Sequence, residues 1–104
     1  MESLTAYMEV RVEEIRMLPP GKSVRAFVDI TLDEIIIRDF RVIQEDGKRL
    51  HVKVPFSTYR DSTGQLRFRP IVILPDEVKG EVDLAVLNAY RWEKERENSG
   101  SKPK

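Results

Sequence analysis

Residues 23–43, SVRAFVDITLDEIIIRDFRVI, constrain this chain more than any other stretch. Val24, Ala26, Val28, Ile30 and Leu32 fall on alternate positions, with Arg25, Asp29 and Thr31 between them and Phe27 the exception. Successive side chains of an extended chain point to opposite sides, so a period of two marks a strand with one buried face. Residues 35–43 are rich in β-branched side chains and suit a second strand. Asp33-Glu34 is short and polar enough to turn the chain between them. A β-hairpin at the centre of a small sheet is the expected organising element.

The rest of the chain arranges itself around that hairpin. In residues 7–16, Met8, Val10 and Val12 alternate with Glu9, Arg11 and Glu13, which predicts a first strand ended by Pro19-Pro20-Gly21. Asp46-Gly47 marks a turn after the hairpin, since both residues tolerate positive φ. Leu50, Val52 and Val54 then alternate with His51 and Lys53 in a further strand that Pro55 ends. Residues 56–65, FSTYRDSTGQ, read as a polar loop turning at Gly64. Residues 66–74 read as an edge or bulged strand, because Pro70 inside it has no N–H to donate. Asp76 and Glu77 suit a helix start. Gly80 weakens the first turn, so the expectation is a short turn followed by a main helix over about 80–97. Val82, Ala85, Val86, Ala89, Tyr90 and Trp92 share one face of that helix, which should cover the sheet. Leu84 and Leu87 flank Arg91 outside that face and are candidates for contact with a partner subunit. The expected fold is α+β: a small antiparallel sheet of four to five strands under a C-terminal helix. Residues 1–6 should be flexible, 7–97 a single domain, and 98–104 (NSGSKPK) a disordered tail.

Length and composition narrow the function classes. With 104 residues, one domain with one core is expected. The chain contains no cysteine, which removes disulfides and thiolate metal sites and fits a cytoplasmic setting. No apolar run approaches the ~20 residues of a membrane span, and residues 1–10 lack the pattern of a signal peptide. Net charge is zero, but its distribution is uneven. Residues 48–69 hold six basic side chains (Lys48, Arg49, Lys53, Arg60, Arg67, Arg69) against one acid, Asp61, a net of +5. The segments before and after it are mildly acidic.

Catalytic chemistry finds little support. His51 is the only histidine. Without a second histidine or any cysteine, a zinc site would rest on carboxylates alone. Neither Ser57 nor Ser62 sits in a nucleophile elbow, and no Gly-rich loop cradles a phosphate. The expectation is a non-enzyme without cofactors. What remains is a basic segment interleaved with aromatics: Lys53, Phe56, Tyr59, Arg60, Arg67, Phe68 and Arg69. Arg and Lys neutralise phosphates, and Tyr or Phe stacks on unpaired bases. The competing reading is that Phe56 and Phe68 pack the sheet, and for Phe68 that reading is preferred.

These residues, taken in order, resemble the stage V sporulation protein G (SpoVG) family of bacterial septation and gene-expression regulators. The resemblance is carried by Arg25-Ala26, Ile30-Thr31-Leu32-Asp33, Asp39, Arg41-Val42-Ile43, Val54-Pro55, Gly64, Arg67, Ala85-Val86-Leu87-Asn88 and Tyr90. It spans roughly residues 8–92. Where the family carries a His-Pro pair before the helix, this chain has Phe68-Arg69-Pro70-Ile71-Val72-Ile73. The resemblance implies a homodimeric, non-enzymatic α+β domain that binds DNA and RNA. It implies contacts from Arg60 and Arg67 in the basic loop and from Lys79 before the helix. Charge alone adds Lys53 and Arg69, and Tyr59 is the candidate for stacking. The rival expectation is a dimeric protein-interaction module that uses Leu84, Leu87 and an edge strand and binds no nucleic acid.

Overall fold

The structure, a computed structural model, describes residues 8–100, with side chains described through Glu97. Six strands and one helix follow in order: β1 (Val10–Met17), β2 (Val24–Leu32), β3 (Ile35–Ile43), β4 (His51–Lys53), β5 (Phe56–Arg60), β6 (Leu66–Pro70) and α1 (Asp76–Gly100). The fold is α+β. Strands β1 to β4 form one antiparallel sheet in sequence order, and β5 and β6 form a separate two-stranded sheet. The expectation of a loose N-terminus over 1–6 falls outside the described residues.

The central hairpin forms as the alternation predicts. Ala26, Val28 and Ile30 are completely buried, and Leu32 nearly so. Asp33 turns the chain at a φ of 55°, which a short polar side chain tolerates. Its carboxylate accepts from the Glu9 N–H at 2.9 Å, and its own N–H donates to the Glu9 carbonyl at 2.8 Å. These reciprocal bonds tie the hairpin tip to the entry of β1.

Two neighbouring strands carry an apolar pattern that slips out of phase, and a β-bulge absorbs each slip. In β1, Val10 and Val12 alternate, but the next apolar residues are Ile15 and Met17. The register with β2 shifts between Val12 and Glu14, so Ile15 and Met17 return to the face already used by Val10 and Val12. In β3, Ile37 stands opposite Ile30 and Phe40 opposite Val28, so Arg38 and Asp39 together oppose Asp29. Asp39 takes a φ of 71° there. The extra residue puts Phe40 and Val42 in the core and turns Arg41 outward. Without these bulges the second half of each strand would present its charged residues to the helix.

The helix covers that face. Val82, Val86 and Tyr90, four residues apart, pack with Ala26, Val28, Ile30, Leu32, Phe40, Val42 and Val52 into one core. Three expectations are corrected here. The helix starts at Asp76 rather than near Gly80, because the Pro75 carbonyl accepts the Lys79 N–H at 2.8 Å and opens a continuous ladder. It runs to Gly100, into the segment expected to be a disordered tail. Trp92 does not lie under the helix but is 60% exposed, beside Val12, Ile15 and Ala89 at the sheet's β1 edge. Among the described residues, no strand lies beyond β1 on that side, and the Arg96 guanidinium sits 5.2 Å from the indole ring centre.

Gly80 lies within the helix, exposed, and a Cβ built there meets no atom within 4 Å. Gly80→Ala is therefore expected to stabilise the domain by about 0.5–1 kcal/mol, since it removes the entropic cost of glycine in a helix without a clash. Thermal unfolding followed by circular dichroism should show a rise of a few degrees. No rise would mean that the first turn frays independently of the core. Among the described residues, no helix is long and apolar enough to cross a membrane.

Candidate nucleic-acid interface

The segment expected to be a polar loop is strand β5, and with β6 it forms a hairpin arm. Every residue from Ser62 to Ile71 is exposed, and the arm packs chiefly on itself. The pattern FSTYR gives no sign of a strand because neither face is buried under a helix or second sheet. The strand expected over 66–74 stops at Pro70. The Ile71 N–H donates to the Pro55 carbonyl at 2.9 Å and closes the root of the arm. The Cα radius of gyration, 16.0 Å, exceeds the roughly 13 Å of a compact domain this long, as a projecting arm and a long helix require.

The tip is built around Asp61. Its Oδ1 accepts from the Thr63 N–H at 2.9 Å, the Thr63 hydroxyl at 2.7 Å and the Gln65 N–H at 3.0 Å, and its Oδ2 accepts from Arg67 Nε at 2.8 Å. The Thr63 hydroxyl, then the Arg67 guanidinium and the backbone donors, hold the Asp61 carboxyl down to about 2. Arg60 Nη1 donates to the Gly64 carbonyl at 2.9 Å, and Gly64 supplies the φ of 85° that the turn needs.

The arm's register sorts the candidate residues by face. Tyr59 stands opposite Arg67 and Ser57 opposite Arg69, so Tyr59, Arg67 and Arg69 share one face. Arg60 lies on the other face with Phe56, Leu66 and Phe68. Lys53 lies on β4 in the main sheet. Lys79 is set apart: its ammonium donates to the Val52 carbonyl at 3.1 Å and to Asp83 at 2.7 Å, which ties the start of α1 to β4. Leu84 is exposed, whereas Leu87 is half-buried and packs against the core, so the two do not form one ridge. His51 is exposed on β4.

The outer face of the main sheet, away from the helix, holds residues that the alternation argument passed over. Phe27, Arg41 and Lys53 stand side by side across β2, β3 and β4. The Arg41 guanidinium lies 5.3 Å from the Phe27 ring centre and 4.0 Å from that of Phe56, so it is held between two aromatic faces. Lys53 Nζ lies 5.7 Å from the Phe56 ring. Phe56 meets Phe68 edge-to-face, with centres 5.3 Å apart and planes at 72°. Phe68 is nonetheless 59% exposed, so it does not pack the sheet as expected. The sequence signals for this stack were Phe27, the odd apolar residue among the polar positions of β2, and the aromatics Phe56 and Phe68 interleaved with the basic residues; Arg41 gave none.

A second polar group on that face is structural. Asp29 is only 6% exposed, and its carboxylate accepts from Arg16 Nη1 and Nη2 at 3.0 Å each and from the Asp39 N–H at 3.0 Å. The Arg16 hydrogen bond, against the opposing effect of burial, holds the Asp29 carboxyl below its ordinary value. Arg16 Nη2 also reaches Asp39 Oδ1 at 2.9 Å, which pins the β3 bulge.

Among the described residues, no three His, Cys, Asp or Glu side chains gather as a metal-ligand set. Lys53, Arg60 and Arg69 are exposed and have no carboxylate within 4 Å among the described residues, so their charge is available to a ligand, whereas Arg41 is enclosed between its two rings. No protein-family model matches this chain, and no curated protein matches it.

Proposed function

We propose that the chain is a non-enzymatic, cytoplasmic regulator of the SpoVG type that binds DNA or RNA through the β5–β6 arm and acts in septation or gene expression. One observation carries the reading: Arg60, Arg67 and Arg69 of the basic segment stand on an exposed arm, a net of +2 against Asp61, with Tyr59, Arg67 and Arg69 on a single face. A protruding basic hairpin reaches phosphates that a flat surface of zero net charge would not attract. Arg67, oriented by Asp61, and Arg69, with no carboxylate partner among the described residues, contact phosphates, and Tyr59 stacks. Lys79 is already paired and contributes mainly to folding.

Assembly as a homodimer is part of this reading. A lone two-stranded hairpin is marginal in water, and Ile71 and Ile73 at the arm's base are exposed. A second copy packed there would steady the arm and double the basic surface. The same exposed apolar residues support the alternative, a dimeric protein-interaction module without nucleic acid.

The test is fluorescence anisotropy with labelled single-stranded RNA, single-stranded DNA and duplex DNA across a salt series, with light scattering for mass. Binding is expected to weaken with salt by about 0.7 logarithmic units per phosphate contact on a single strand. Arg67→Gln with Arg69→Gln should lower that slope by about 1.4 and weaken binding roughly tenfold or more. No binding even at low salt overturns the reading and favours the interaction module.

A further inference from the structure

We propose that the depression at the root of the arm is a stacking site for one unpaired nucleobase, with Lys53 placed for the adjoining phosphate. The inference rests on the nucleic-acid reading and narrows its ligand to single strands.

The depression has a volume of about 210 Å³ and is lined by Lys53, Val54, Phe56, Phe68 and Pro70. Its lining is apolar and aromatic, with one cation beside it. The aromatic walls are held in advance of any ligand. Arg41 backs Phe56 at 4.0 Å and is itself backed by Phe27, while Phe56 fixes Phe68 edge-to-face. An aromatic ring that is held in place yet open to solvent loses little freedom when a planar base stacks on it. Lys53 is bound to no carboxylate among the described residues, and the Arg41 guanidinium lies behind Phe56, whereas Arg69 projects from the opposite face of the arm. This surplus of positive charge around an aromatic notch complements a polyanion with flat side groups better than an apolar peptide segment. The lining contains no acidic group, so nothing opposes the approach of a phosphate. Val54, Pro70 and the rings offer no side-chain donors or acceptors to a base edge, so the site should tolerate any base. A base inside a duplex has both faces covered, so only an unpaired one fits.

The decisive comparison uses three labelled probes of equal length: a base-bearing single strand, an abasic single strand and a duplex. DNA and RNA versions separate the two sources of an unpaired base. The wild-type chain is expected to bind the base-bearing strand roughly tenfold or more tightly than the abasic one, the order of one stacked base. Phe68→Leu keeps the apolar bulk and removes the π face. It should erase that preference while leaving the salt slope unchanged, and Phe68→Tyr should restore it. Lys53→Gln should lower the slope by about 0.7. Equal binding of base-bearing and abasic strands by the wild type overturns the stacking site and leaves the nucleic-acid reading standing. So does a preference that survives Phe68→Leu. A change of oligomeric mass in Phe68→Leu assigns the ring to a contact between copies and also overturns it. Failure of every probe to bind at low salt overturns both. Phe68 is exposed, so an unchanged melting temperature is the folding control.

Discussion

Phe40→Ala is expected to destabilise the domain by about 4 kcal/mol, the usual cost of a fully buried phenylalanine. Phe40 is the largest completely buried side chain and faces Val28 beneath α1. A domain of this size has about 5–15 kcal/mol in all, so the loss is a large fraction of it. It corresponds to a fall in melting temperature of about 15–30 °C. Urea unfolding should show a lower midpoint with the slope retained. Phe40→Leu keeps most of the volume and should cost about 1 kcal/mol. If the two variants lost the same amount, the ring would be filling no space that the helix and sheet need. The prediction also probes the β3 bulge, because Phe40 reaches the core only through the extra residue at Arg38-Asp39.

Arg16→Leu should rank next, at about 2–3 kcal/mol at neutral pH. Removing one partner of a buried pair leaves the other charge uncompensated, and the figure sits below the usual 3–5 because Arg16 itself is partly exposed. Asp29 would keep only the Asp39 N–H. The pH dependence separates charge from packing. In the wild type the Asp29 carboxyl is held below its unfolded value of about 3.9. Its contribution is therefore complete above that value and is lost only as pH falls through the lower folded one. In the variant, burial without the guanidinium pushes the same carboxyl upward, so it takes up a proton earlier as pH falls. The stability difference between the two proteins should thus be largest at pH 7 and shrink as pH falls through about 4. Urea unfolding at pH 7 and pH 3 measures it. An equal deficit at both would attribute the loss to packing of the arginine stem instead.

Most of the main sheet was legible in the sequence because it depends on local patterns. The alternation over 24–32, the polar pair at 33–34 and the stop at Pro55 each act within a few residues, and each names its element. The arm was not legible. Strand signals come from a buried face, and β5 has none, so FSTYR resembles a loop until its pairing with LRFRP is seen. The helix was legible in its core stripe of Val82, Val86 and Tyr90 but not in its start. Gly80 lowers local propensity by an amount that packing of Val78 and Val82 exceeds. Of the candidate site, the basic residues were visible as a cluster along the chain. Their division between two faces of the arm, and the engagement of Lys79 with Val52, were not.

By itself the sequence determined the α+β composition, the central hairpin, the identity of most core residues and the concentration of positive charge in residues 48–69. These follow from period, turn chemistry and counting, which need no knowledge of what lies across the sheet. Only the tertiary structure decided the two bulges that keep β1 and β3 in phase, and the capture of Asp29 by Arg16 thirteen residues earlier. It alone decided the stack of Phe27, Arg41 and Phe56 with Phe68 left open. Each of these depends on register between strands, where a shift of one residue moves a side chain from one face to the other.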